Sequence, residues 1–303
     1  MTPIALPPVL RRAVDALSRE MMHPPDAPVF DFSRPPGASA ILGPDSLSWR
    51  IYKNPVSVFV GGVAAVILEL AEPAVRTGVW EHSRFRTDPV GRMQRTGMAA
   101  MITIYGPREA AETMIAGVVR RHGGVTGNTP RGQAYAANDP VLLTWVQATA
   151  NFGFVGAYGR YVRPLTAAEQ DQAYREPEPA ARLYGALDAP RSGAEIDALF
   201  EAMRGRLEPS SVVFDFLRIM RTAPVFPAAM RPVQHLLARA AVDIVPDRVR
   251  ERLGLTERYG LQAFEAPVVR AMGALADRIV LKDSPAVQAC LRLGLPPDYL
   301  YSS

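Results

Sequence analysis

Residues 138–162 read NDPVLLTWVQATANFGFVGAYGRYV, and this stretch decides the fold. Asn138 or Asp139 followed by Pro140 is a helix start. The polar side chain accepts from the free N–H groups of the first turn, and proline supplies a helical φ where its missing N–H costs nothing. A long run rich in Trp, Phe and Tyr follows, and its only charge is Arg160 near the end. Such a helix is buried on most sides, so it is expected at the centre of the molecule. Gln147, Asn151, Phe154 and Tyr158 follow i+4, i+3 and i+4 steps along one face. Buried amides need partners, so that stripe lines a pocket or forms a structural hydrogen-bond network.

The same grammar recurs on either side. VSVFVGGVAAVIL (56–68) is 13 residues long and is ended by Glu69. It suits a buried helix over 56–71 better than a membrane span of about 20 residues. EPAVRTGVWEHS reads as a short helix with Pro73 in its first turn. DPVGRMQRTGMAAMITIYG opens on Asp88-Pro89 and stops at Gly106, and GPREAAETMIAGVVRRHGG stops at Gly123-Gly124. Helical spacing also marks 7–22, 166–176, 192–206, 210–222, 226–243, 257–278 and 284–293. Residues 23–45 are Pro- and Gly-rich and are expected to wrap the surface or line an entrance. No sustained alternation marks strands. The reading is an all-α fold, a single multi-helix domain over 1–303 around a central buried helix pair, with the helices of 245–303 packed on it. REPEPAAR (175–182), the softest boundary, is read as a connection within that domain.

Composition excludes several functions. The 34 basic and 30 acidic residues leave a net +4, too little to argue for nucleic acid. Only Lys53 and Lys282 are lysines, so arginine carries nearly all the positive charge. Cys290 stands alone, which excludes an internal disulfide and a thiolate metal cluster. The N-terminal stretch lacks the long apolar region of a signal peptide, and the expectation is a cytoplasmic protein with no transmembrane segment. No dinucleotide fingerprint, phosphate loop, zinc-protease or nucleophile-elbow motif occurs.

Four constellations carry chemistry. In GRMQRTG (91–97), Arg92, Arg95 and Thr96 share a helix face at the mouth of an apolar helix. They form either a solvated first turn or a site for an anion or a cofactor carboxylate. In WEHSRFRTDP (80–89), His82, Arg84 and Arg86 sit in the preceding turn, where His82 caps, packs or binds. In VVRRHGGV (118–125), His122 ends its helix beside Arg120 and Arg121, where the dipole favours cations. It is either a helix-end residue or a ligand. Gln147, on the central helix, is the fourth.

The order of these pieces, EHSRFRTDPVGRMQRT and then YGPREAAETMIAGVVRRHGGVTGNTPRGQAYAANDPVLLTWVQAT, resembles the rubber oxygenase (latex clearing protein) family. That family includes the oxygenase of mycophenolic acid biosynthesis. The resemblance covers roughly residues 40–240 and is strongest from 80 to 165. It implies an all-helical fold, with a globin-like pocket possible, holding one haem b, and an oxygenase acting with dioxygen on a hydrophobic small molecule. His122 matches the proximal iron ligand. Arg95 and Thr96 would shape the distal pocket, and Arg92 would anchor a propionate or the distal network. Arg84, Arg120, His82 and Gln147 are further cofactor-binding candidates. The chain departs from the family twice. Arg95 stands where the rubber enzymes have a lysine, and a guanidinium stays protonated and ligates iron poorly. Gln147 stands where many members have histidine. These departures leave room for a non-catalytic or haem-free member that binds an apolar ligand. A helical interaction protein with a filled core is the third reading.

Overall fold

The computed structural model describes residues 29–302 and, before them, Pro3, Ile4, Pro7, Arg12 and Val14. The rest of the expected helix over 7–22 lies outside the described residues. The described residues are mainly helical, with one hairpin and a single parallel bridge between Ile4 and Ile279.

The helices predicted from Pro73, Asp88-Pro89 and Asp139-Pro140 are present, and one more, over Leu47–Lys53, precedes them. Leu47–Lys53 (α1) is followed by Pro55–Ala71 (α2), Pro73–His82 (α3), Pro89–Tyr105 (α4) and Arg108–His122 (α5). The side chains of Asn54, Glu72, Asp88 and Asp139 each accept from backbone N–H groups just ahead of a helix whose first residue is proline. Pro140–Tyr161 (α6) is the long central helix. Between α5 and α6 the glycine-rich loop forms a two-stranded antiparallel hairpin, Thr126–Asn128 (β1) with Ala134–Ala136 (β2).

α2 and α6 form the central pair, and they run antiparallel. Asn54 donates to the Gly273 carbonyl, and a Cβ on Gly273 would meet the Tyr161 backbone, so the start of α2 lies by the end of α6. The two helices cross at Gly61 and Gly153. A Cβ on Gly61 would lie 2.7 Å from the Phe154 Cα, and one on Gly153 would fall on the Gly61 carbonyl oxygen. Alanine in a helix interior normally adds stability over glycine. At this crossing the sign reverses, and Gly153→Ala is expected to cost about 2 kcal/mol through overpacking. Urea unfolding checks this, and an unchanged or raised midpoint would refute the close crossing.

The later helices are Ala167–Arg175 (α7), Glu178–Tyr184 (α8), Gly193–Met203 (α9), Ser211–Thr222 (α10), Arg231–Ile244 (α11), Asp247–Leu253 (α12), Glu265–Ala276 (α13) and Pro285–Arg292 (α14). They pack apolar side chains such as Val213, Phe216, Leu237, Ala241 and Val269 into the core around α2. REPEPAAR is stitched to the front of the chain. Glu176 accepts from the N–H groups of Leu47 (3.0 Å) and Ser48 (2.9 Å) and so caps α1.

Two expectations change. The single helix over 257–278 is interrupted, leaving a short 3₁₀ turn at Glu257–Tyr259 before α13. Gly260 there lies against Asp243, and its carbonyl accepts from Arg239 (2.7 Å), so tertiary contacts override the helical spacing. The Pro-rich segment before α1 does more than wrap the surface, because Phe32, Ala40, Ile41 and Leu42 are buried. No single helix among the described residues is long and apolar enough to cross a membrane. The α1–α2 pair, bent by 96°, passes on length and composition alone.

Candidate functional site

One end of the helix pair gathers the polar groups. α2 ends there with Glu69 in its last turn, and α6 begins there, carrying Gln147 on its second turn. α4 starts at this end with Arg92, and α5 finishes at it with His122. The start of α6 is tied to the end of α5 by Asn138, whose Nδ2 donates to the Val119 carbonyl at 3.1 Å.

Three ionisable groups converge here. Burial raises the Glu69 carboxyl from its ordinary 4.5 to about 7, with the Arg92 charge opposing the rise. Arg92 is itself deep, and its pKa is lowered first by burial, with Glu69 acting against that. The His122 pKa is lowered by burial, then by the charges of Arg121 and Arg92. Arg92 is therefore the charge that acts on both Glu69 and His122. Among the described residues, none of these three side chains makes a hydrogen bond or an ion pair within bonding distance. All three also keep some accessible area. All three are thus deep, partly accessible and without a bonded partner, a state uncommon among buried polar groups.

Two half-buried rows run from this cluster along the pair. Val58, Gly62, Val66 and Glu69 are half-buried positions at helical spacing on the otherwise packed α2. Leu143, Gln147, Ala150 and Phe154 form the matching row on α6. The Phe154 ring lies 3.9 Å from where a Gly62 Cβ would be, so the two rows flank the same side. The wall is apolar until it reaches Glu69 and Gln147. Gln147 donates to Asn151 at a long 3.4 Å, the only member of the polar stripe it touches.

The family described as "ER-bound oxygenase mpaB/B'/Rubber oxygenase, catalytic domain" matches residues 49–278, about three quarters of the chain. The chain belongs to that family. An oxygenase reading of this rubber oxygenase relative agrees with it. Among curated proteins, a stretch of 63 residues is 43% identical to a glycogen synthase of Haemophilus influenzae (strain PittGG). It covers 20% of this chain and only 13% of the synthase, too little to bear on the activity of either. No solved structure matches.

The structure separates the candidate residues of this rubber oxygenase relative. Arg92, His122 and Gln147 lie at the same end of the helix pair. Arg95 turns to the surface. Its side chain is 40% exposed and pairs with Asp88 at 2.9 Å, the same carboxylate that caps α4. That pair holds the Asp88 carboxyl below its ordinary range, the Arg95 bond being the largest cause. Thr96 is exposed and donates back to the Arg92 carbonyl at 3.0 Å. Arg84 and Arg120 are exposed. His82 shares a hydrogen bond of 3.2 Å with the Tyr135 hydroxyl and so pins the β-hairpin to α3. Sequence reasoning missed Glu69, treating it only as the residue that ends an apolar run. A lone carboxylate in an otherwise apolar helix was itself the signal.

A haem needs one neutral imidazole, cations for its propionates and an apolar slot. The lowered pKa of His122 keeps its imidazole neutral, which is the ligating form. The unbonded Arg92 guanidinium offers one cation, and the half-buried rows of α2 and α6 offer apolar side chains. Among the described residues no group of three or more His, Cys, Asp or Glu side chains could hold a bare metal ion. In donor type these residues suit the group.

Proposed function

We propose that this chain is a haem b-dependent oxygenase acting on a hydrophobic small molecule with dioxygen. The observation that carries the reading is the unbonded cluster of Glu69, Arg92 and His122 at the end of the apolar rows. When bound, haem would supply the one-electron iron chemistry needed to use dioxygen. His122 would hold the iron through its neutral ring. Arg92 would bind a propionate or another anion, because a guanidinium keeps its charge even where burial lowers its pKa. Val66, Leu143, Ala150 and Phe154 exclude water and present an oily wall to an apolar substrate. Glu69, with a pKa of about 7, holds or releases a proton at its carboxyl near neutral pH, which is the range useful to a general acid or base.

The test is an absorption spectrum of the purified chain after reconstitution with haem. A stoichiometric Soret band is expected, and His122→Ala should lose or shift it. Failure to bind haem at that level sinks the proposal. The position of Gln147, an amide against the apolar wall, favours a second reading, that of a haem-free binder of an apolar ligand. Lipid that copurifies in mass spectrometry, without turnover of dioxygen, would support it.

A further inference from the structure

A second polar cleft lies at the opposite end of the α2–α6 pair. The 15 steps along α2 from Asn54 to Glu69 span about 22 Å, so it is remote from the cluster above and independent of the haem reading. The cleft has a volume of about 40 Å³ and is bordered by Arg50, Lys53, Arg163, Tyr158, Tyr301 and Asp277. A water needs roughly 10–15 Å³ of such space, so the cleft holds about three waters, the size of a small oxyanion.

Its charges do not balance. Lys53 and Asp277 are almost wholly buried, with side chains 3% and 4% exposed, and pair at 3.1 Å. The Lys53 ammonium also donates to the Asp277 carbonyl (2.7 Å) and stands over the Tyr301 ring at 4.3 Å. Asp277 is further occupied by Asn54, whose Nδ2 donates to Oδ1 at 3.2 Å. Arg163 is paired with Glu169 at 2.9 Å. Arg50 is left over. Among the described residues its guanidinium makes no hydrogen bond and no ion pair, although it borders the cleft. Its charge acts unfavourably on the buried Lys53. The surroundings are thus three cations against two carboxylates that are already engaged. An unmatched forked donor faces a space lined by tyrosines.

We infer that this cleft is a binding site for a small oxyanion of carboxylate or phosphate size, held by the Arg50 fork with Lys53 and Arg163 supplying positive potential. Guanidinium groups bind such anions through paired, charge-assisted hydrogen bonds. A bound anion would bridge the end of α1 to the end of α6 and to the C-terminal turn at Tyr299–Tyr301, and would offset the repulsion between Arg50 and Lys53.

The experiment follows thermal unfolding of the full chain during titration with inorganic phosphate and, separately, with acetate, at ionic strength fixed by sodium chloride. A saturable rise in Tm is expected for at least one anion, because a ligand of the folded state stabilises it by mass action. The stronger of the two tells whether the site takes tetrahedral or planar oxyanions. Arg50→Gln should be at least as stable as the wild type in chloride alone, since its guanidinium has no protein bond to lose and its charge opposes Lys53. Its Kd for the anion should be weaker by about tenfold or more. Saturation by neither anion, or an equal response in Arg50→Gln, overturns the inference. A marked loss of stability in Arg50→Gln in chloride alone overturns it too, because the side chain would then be structural.

Discussion

Arg292→Ala is expected to lower the stability of the chain by about 4 kcal/mol, the largest loss foreseen for a single side chain here. Arg292 ends α14, is 2% exposed, and has no carboxylate partner. Its guanidinium instead donates to three backbone carbonyls: Nε to Ala38 at 2.9 Å, Nη1 to Phe32 at 2.6 Å and Nη2 to Tyr105 at 2.6 Å. Its own carbonyl accepts from the Gly37 N–H at 2.7 Å. One side chain therefore holds the Pro-rich segment before α1 against the end of α4. Truncation leaves three acceptors unsatisfied. Each costs about 1–3 kcal/mol if it stays dry, and water entering the new cavity recovers part of the total. Arg292→Lys should restore only a fraction, because a single ammonium cannot reproduce a planar fork reaching three directions. In a chain of this size the loss for alanine corresponds to a fall in Tm of about 6 °C. A change below about 1 kcal/mol would show that the carbonyls find other partners.

The second large effect depends on pH. Glu69 has its carboxyl raised from 4.5 to about 7 by burial, a difference of about 3 kcal/mol between the two protonation states. Below pH 4.5 the group is protonated whether the chain is folded or not, and it carries no penalty. As pH rises from there, the unfolded chain ionises while the folded one keeps its proton, so stability falls. Above pH 7 the full penalty is present. Glu69→Gln resembles the protonated carboxyl at every pH. The variant is expected to match the wild type near pH 4 and to exceed it by about 3 kcal/mol near pH 8. Urea unfolding at the two pH values measures the difference. Identical pH slopes in the two proteins would mean that Glu69 is solvated and does not border a dry pocket. A stabilising substitution at such a position also fits a group kept for function at some cost in stability.

The helix starts were legible because capping is local. Asp88 and Asp139 precede prolines, and a reader needs only four residues to see a first turn. The central pair was legible because a helix apolar all round has no solvent face to turn outward. The site was legible only in part. His122 could be placed at a helix end, and Arg92 near a helix start, yet nothing in their spacing says that the two ends meet. Arg95, three residues from Arg92, looked equivalent to it. The structure turns it outward to Asp88, which already caps the helix and so offers a fixed carboxylate at the surface. Arg292 was invisible for a different reason. Its partners are backbone carbonyls, which every residue has and no sequence pattern marks.

By itself, then, the sequence determined what each segment does alone: which stretches are helical, where they start and stop, and which two are apolar enough to be central. These follow from capping chemistry and from hydrophobic periodicity, both of which act over a few residues. Only the tertiary structure decided that Gly61 meets Gly153, that Glu69, Arg92 and His122 gather at one end of the pair, and that Arg50 is left unpaired beside Lys53. Those are contacts between residues far apart in the chain, fixed by how closely helices pack and by the desolvation of charges that have no nearby partner. Burial of that kind belongs to the assembled fold, and no single segment carries it.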